Sequence, residues 1–216
     1  TIGMTNGTSA TTFSPDATVT RAQMVTFLWR AHGAPAATGS NPFADVDKDD
    51  YYYDAVLWAV DKLSQEELAV DVAVCFSAQE ELGTRGAGSA AFAIRPHLAV
   101  AVDVSFAHTP DADRRECGVL GHGPMIGISP GLDDQLSRRM EELAAEQGIP
   151  YQREVMGGKT GTDADVIGTA AGGVRTALLS IPQRYMHTPA ELVDVRDVEN
   201  TGRLMAAFVR EGGRGI

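Results

Sequence analysis

The chain has 216 residues, a formal net charge of −11 and an apolar content of 44%. That is enough apolar material for a real core, while the acidic balance argues against nucleic acid, whose phosphates call for clustered Lys and Arg. No apolar stretch is long enough to span a bilayer as a helix, no charged-then-apolar leader pattern is visible, and Cys75 and Cys117 lack the CxxC spacing of a metal or redox pair.

Asn6-Gly7 and Ser14-Pro15-Asp16 carry turn chemistry. Thr20-Arg-Ala-Gln23 is a capping box, a Thr N-cap with Gln three residues on. Met24, Val25, Leu28 and Trp29 follow at helical spacing and predict an apolar face, with His32-Gly33 as the stop. A second short helix is expected over about Asp54 to Lys62, with Ala55, Leu57, Trp58 and Val60 partly buried. Composition shifts near residue 63: Trp29, Trp58 and Tyr51-Tyr52-Tyr53 precede it, and thirteen arginines with the single Lys159 follow. The expected division is therefore a helical segment, 1–63, and a larger part, 64–216. No repeat recurs at a fixed period.

The larger part alternates strands and helices. Strands are expected at Val70–Ser77, Leu98–Ser105, Met125–Ser129, Tyr151–Val155 and Arg175–Ile181, several apolar throughout, as when both sheet faces are covered. Cys75, inside the first run, reads as a buried thiol. A helix over Asp133–Gln147 places Leu136, Met140, Leu143 and Ala144 on one face, and a last helix over about Asp197 to Arg210 turns Val198, Thr201, Leu204, Met205 and Phe208 inward. The fold class is α/β, an α/β/α sandwich, in which functional groups gather at the carboxyl ends of strands.

The acids and one histidine fall at such ends. Glu80 and Glu81 stand side by side past the first strand, in Ser-Ala-Gln-Glu-Glu-Leu-Gly83. Asp103 interrupts the apolar run Leu98-Ala-Val-Ala-Val-Asp-Val104, a costly place for an unpaired carboxylate. His187 lies beyond the strand that ends Ser180-Ile-Pro182. Glu, Asp and His are ligand types that zinc accepts. Singly, each is as readily a solvated glutamate, a turn aspartate or a surface histidine; jointly they point to a metal site.

Two resemblances sharpen this reading. Residues 3–62, through Gly7-Thr8, Thr12 to Gln23, Phe27-Leu-Trp-Arg-Ala31, Phe43-Ala-Asp-Val46, Tyr52-Tyr-Asp-Ala55 and Trp58-Ala59, resemble an S-layer homology (SLH) segment made of parts of two repeats. That resemblance implies attachment to cell-wall polysaccharide, with Thr20 and Arg21 as glycan-binding candidates; an Arg and free amides at a helix start suit an anionic sugar. The other reading of Thr20 and Arg21, a plain cap and a solvated charge, stays open.

Residues from about 66 to 210 resemble the carboxyl-terminal part of the glutamyl/leucyl aminopeptidase family of co-catalytic metallopeptidases, also called cellulase M-like, whose members form tetrahedral particles. The matching segments are Gln79-Glu-Glu-Leu-Gly83 with Arg85-Gly-Ala87, Ala99 to Val104, Gly123-Pro-Met-Ile-Gly127, Thr160-Gly-Thr-Asp-Ala-Asp165, Ser180 to Pro189 and Val193 to Asn200. The resemblance implies a partial zinc-exopeptidase sandwich and two divalent metal ions, zinc or cobalt. It implies Glu80 as the general base, Glu81 and His187 as ligands of one metal, and Asp103 as a ligand of the other. Gly161, Thr162 and Asp163 fall in a loop beside the substrate. The implied reaction removes N-terminal residues from peptides, one cation being able to anchor the free α-amine.

The family's set also includes a His in a His-x-Asp segment and an Asp that bridges the metals. Here His32, His97, His108 and His122 are followed two residues on by Ala, Ala, Pro and Pro. Weak metal affinity and little turnover are therefore expected of this chain by itself, together with a tendency to self-associate through an open sheet edge. Three readings result: a metallo-aminopeptidase, incomplete or completed by another chain; a cell-envelope glycan-binding protein; and a chimeric fragment without a selected function. The setting is cytoplasmic if the aminopeptidase part decides and the cell surface if the SLH-like part does.

Overall fold

The computed structural model describes residues 11, 20–64 and 68–213, which fall into two compact units, Thr1–Glu67 and Leu68–Ile216. The turns expected at Asn6-Gly7 and Ser14-Pro15-Asp16, and the side chain of Arg21, lie outside the described residues.

In the first unit, α1 spans Arg21–Ala31 and α2 spans Tyr53–Ser64. The capping box forms as its residues dictate: the Gln23 amide donates to Thr20 Oγ1 (3.2 Å) and the Thr20 amide to Gln23 Oε1 (2.8 Å). Helix α1 packs on α2, with the His32 and Trp58 rings 5.2 Å apart. Burial is centred on Ala55 and Leu57 of α2 and on Thr26, whose hydroxyl returns to the Ala22 carbonyl. The apolar face expected on α1 is only partly covered, and Leu28 is exposed.

The second unit is a mixed sheet with helices on both faces. Its elements are α3 (Arg85–Ile94), β1 (Leu98–Phe106), β2 (Met125–Ile128), α4 (Asp134–Glu146), β3 (Gln152–Val155), α5 (Ala164–Ile167), β4 (Arg175–Arg184), β5 (Leu192–Val193) and α6 (Val195–Glu211). The order is β1-β4-β2-β3, with β5 on the end of β4. Strands β1 and β4 are parallel, β2 and β3 are parallel, and β4 meets β2 and β5 antiparallel. Alternation along β4 sorts the core: Ala177 and Leu179 join Ile126, Leu136, Met140, Leu143, Leu204 and Phe208 under α4 and α6, whereas Leu178 joins Ala101 and Ala164 on the other face. The α/β/α layering expected from the sequence is present.

Two corrections follow from hydrogen bonding. The apolar run Val70–Ser77 is not a strand, and Cys75 is exposed rather than buried. A strand needs a neighbour to share its backbone hydrogen bonds, and residues 70–77 make none with any described residue. Val74 and Phe76 are accordingly 73% and 65% exposed. The last helix begins at Val195, two residues early, and leaves Val198 on its outer side. Helix α3 was not anticipated; its Gly86 and Gly88 mask the helical pattern.

Buried charge ties the loops to this frame. Asp197, fully buried in the first turn of α6, accepts the Gly121 and Gly123 amides, each at 2.7 Å. Gly123 needs both its positive φ of 86° and its missing side chain, because a Cβ there would sit 1.8 Å from the Pro150 carbonyl oxygen. Asp133 caps α4 through the Leu136 amide and holds Arg175 at 2.6 Å, fixing the helix start to the start of β4. Replacing Asp197 by Ala removes two charge-assisted bonds and strands two amides; unfolding in urea is expected to show a loss of about 3 kcal/mol.

Candidate metallopeptidase site

The parallel pairing of β1 and β4 sets Asp103 opposite Ser180 and carries both carboxyl ends to the same side. Beyond β4, Tyr185 and His187 take positive φ values of 61° and 60°, so the chain reverses sharply and presents His187 at the sheet end. The His187 amide donates to Glu191 Oε1 at 2.7 Å, which holds the reversal.

The glutamate pair sits on a turn of comparable strain. Gln79 and Thr84 lie at φ 60° and 55°, and the Gly83 and Thr84 amides both donate to the Glu80 carbonyl. The Gly86 amide donates to the Ala78 carbonyl, and a Cβ on Gly86 would meet Ala78 backbone atoms at 2.5 Å. Only glycine lets α3 close on this turn so tightly. The two neighbours then diverge: Glu81 is exposed and Glu80 half-buried.

Glu81 Oε1 lies 3.0 Å from His187 Nε2, joining residues 106 positions apart. Glu80 and Asp103 lie in the electrostatic field of Glu81 and Asp163. Burial above all, then Asp103, Glu81 and Asp163, push the Glu80 carboxyl upward, and His187 pulls it partly back. Asp103 is likewise raised, first by burial and then by Asp163, Glu81 and Glu154, while the Val104 amide opposes the shift.

The loop Gly161-Thr162-Asp163 joins the same end. Asp165 braces it by accepting the Thr160 amide at 2.9 Å and the Gly161 amide at 3.0 Å, and Thr162 Oγ1 accepts the Ala164 amide. Asp163 receives the Ser77 hydroxyl. Sequence reasoning missed Glu154 of β3, which accepts the hydroxyls of Ser105 (β1) and Ser180 (β4, 2.6 Å) and so bridges three strands beside Asp103. Its only signal was a carboxylate inside the strand Gln-Arg-Glu-Val155. In the other unit, the Thr20 hydroxyl is engaged by its helix cap.

The donor chemistry of Glu81, His187 and Asp103 suits zinc. Among the described residues, however, no three His, Cys, Asp or Glu side chains converge as a metal-holding group. The fit is to a two-donor platform, Glu81 with His187, and not to a closed ligand shell.

Glu80 and Glu81 on the turn before α3, Asp103 of β1 and His187 beyond β4 thus gather at one end of the α/β/α sandwich. Comparison with known proteins makes this specific: residues 50–204 match the M42 glutamyl aminopeptidase model, and the chain belongs to that family. Residues 3–25 match the S-layer homology domain; residues 50–63, read from sequence with the SLH-like segment, fall within the aminopeptidase match. The lysyl aminopeptidase of Pyrococcus furiosus is 41% identical over 157 residues, 73% of this chain and 45% of that protein. An aminopeptidase of the archaeon Desulfurococcus kamchatkensis superposes with a TM-score of 0.65 at 36% identity, covering 72% of this chain and 45% of its own. The TET1 peptidase of Pyrococcus horikoshii, described as assembling into a tetrahedron or a large octahedral shell, gives 0.57 at 29% identity, over 76% of this chain and 48% of its own. The chain thus spans about half the length of the relatives it matches.

The raised carboxyls have a measurable consequence. Each binds its proton more tightly folded than unfolded, so the folded chain keeps protons that the unfolded chain has lost. In chelator-treated buffer, stability contributed by Glu80 and Asp103 is expected to fall as pH climbs from the ordinary carboxylate range, about 4, through their raised values. Urea midpoints across that window check this, and Asp103→Asn is expected to flatten the slope.

Proposed function

We propose that residues 64–216 are the carboxyl-terminal part of a metal-dependent aminopeptidase catalytic domain, acting on the N-terminal residues of peptides. The observation that carries this is the 3.0 Å approach of Glu81 to His187 with Glu80 beside it. Glu81 and His187 would hold one divalent cation, and Asp103 would contribute to a second. When bound, two such cations, zinc or cobalt, lower the pKa of water and polarise a scissile carbonyl. Glu80, half-buried and raised in pKa, takes the proton of the attacking water and returns it to the departing amine. Two donors make an incomplete shell, so this chain alone holds metal weakly and turns over slowly. In that reading a homo-oligomer or a second polypeptide completes the site, and the setting is cytoplasmic.

The SLH match supports a second role, attachment of residues 1–63 to cell-wall polysaccharide at the cell surface through Thr20 and Arg21. No helix among the described residues is long and apolar enough to cross a membrane.

Equilibrium dialysis against cobalt or zinc, paired with an aminoacyl-chromophore assay, tests the peptidase reading. Weak uptake lost in His187→Ala is expected, with Glu80→Gln keeping uptake and lowering turnover by about 100-fold or more. No metal uptake under any condition would end it. For the second role, retention on purified cell-wall glycan is expected and should weaken in Arg21→Ala; passage without retention would remove that role.

A further inference from the structure

A hollow of about 440 Å³ opens where the carboxyl ends of β1 and β4 meet the loop after β1, and no step above uses it. Its apolar wall is Phe106, three residues past Asp103, with Tyr185 and Met186, the two residues immediately before His187. Phe106 and Tyr185 are 60% and 51% exposed; rings left to water on a concave wall mark a ligand surface. The loop keeps its shape by its own bonds. Ala107 pairs with Gly118, which closes the chain between them, and the Ala112 and Glu116 amides return to the Thr109 and Asp113 carbonyls at 3.1 Å each. The Ala107 amide also donates to the Gln183 carbonyl at 2.8 Å and ties the loop to β4. Asp111, Asp113 and Glu116 line the same hollow, and no Lys or Arg does. The Cys117 thiol is pushed up by burial and then by Glu116 and Asp113, as a negative field requires.

The three acids are not equivalent. Arg115 forks onto Asp113 at 2.8 and 3.2 Å and neutralises it. The Thr109 hydroxyl holds the Asp111 carboxyl below the usual range, so Asp111 stays charged. Glu116 has no ion-pair partner among the described residues. Two negative charges are thus left beside an apolar, aromatic wall. The complement to that surface is an unbranched alkyl stem ending in a cation: the stem covers Phe106 and Met186, and the head meets the acids and an aromatic face. An anionic side chain would meet like charge, and a plain alkyl chain would gain nothing from the acids. We propose that this hollow takes the side chain of a lysine or arginine at the bond to be cleaved, and so selects peptides that are basic at that residue. The proposal rests on the peptidase reading for placing that side chain on a substrate; the preference for an alkyl cation does not.

The test uses the whole chain in chelator-containing buffer at neutral pH. The probes are amino acids acetylated at the α-amine and methylamidated at the carboxyl, so neither metal nor a free amino terminus contributes. NMR of the 107–117 and 185–187 amides and of the His187 ring follows binding. Saturable shifts are expected with the lysine and arginine probes. Binding about five-fold weaker or more is expected with norleucine, which keeps the stem and loses the charge, and none with glutamate. Asp111→Asn with Glu116→Gln, both at exposed positions, should lower the lysine probe to the norleucine level, and Phe106→Ala should weaken both probes. The lysine probe should also move the His187 ring, which places its backbone beside the site. Norleucine binding as tightly as lysine, a double variant that keeps the lysine preference, a His187 ring unmoved by the lysine probe, or no saturable shift with any probe would overturn the proposal. A chain that passes but takes up no metal in dialysis keeps the hollow and loses the peptidase reading; one that takes up metal and fails here does the reverse.

Discussion

The site hangs on the parallel ladder between β1 and β4. Nine paired positions, Leu98 with Arg175 through Phe106 with Gln183, fix which residues reach the sheet end together. A slip of one residue would turn Asp103 to the opposite face and separate it from Ser180, Glu154 and the glutamate turn. The register is held from both faces, by Ala177 and Leu179 under α4 and α6 and by Leu178 against Ala101 and Ala164. Core packing and the placing of the carboxylates are thus one constraint.

Negative charge accumulates around that ladder. Glu81 and Asp163 bear on both Glu80 and Asp103, Glu154 bears on Asp103, and His187 opposes the rise at Glu80. The protein meets part of the cost with hydroxyl donors, Ser77 to Asp163 and Ser105 and Ser180 to Glu154. Strained backbone at Gln79, Thr84, Tyr185 and His187 keeps the groups in place. Such strain and unbalanced charge persist where the surrounding packing over-determines them.

Much of this was legible in the residues. Thr20 and Gln23 wrote their own cap, Asp133 and the one apolar face of Leu136, Met140, Leu143 and Ala144 wrote α4, and the apolar runs wrote β1 and β4. The joining of Glu81 to His187 was readable only through the motif likeness, since nothing in their spacing forces contact across 106 positions. Glu154 escaped because a single strand glutamate is usually solvated, and its two serine donors come from other strands. Helix α3 escaped because Gly86, required by the close approach to Ala78, and Gly88 weaken the helical signal. The run Val70–Ser77 misled for the opposite reason: its composition suits a strand, but pairing is a property of neighbours and not of composition.

That run has a colloidal consequence. Valines at 70, 72 and 74 and Phe76 face water above amides and carbonyls that no described residue shares, the pattern that recruits another extended chain. Opposing this is the mutual repulsion of molecules that each carry a formal charge of −11. Repulsion of this kind reaches only about 10 Å in 0.1 M salt and about 3 Å in 1 M, while the attraction of apolar surface does not fade with added salt. Dispersal of the protein in solution is therefore governed by ionic strength, dilute buffer keeping molecules apart and concentrated salt drawing their uncovered segments together.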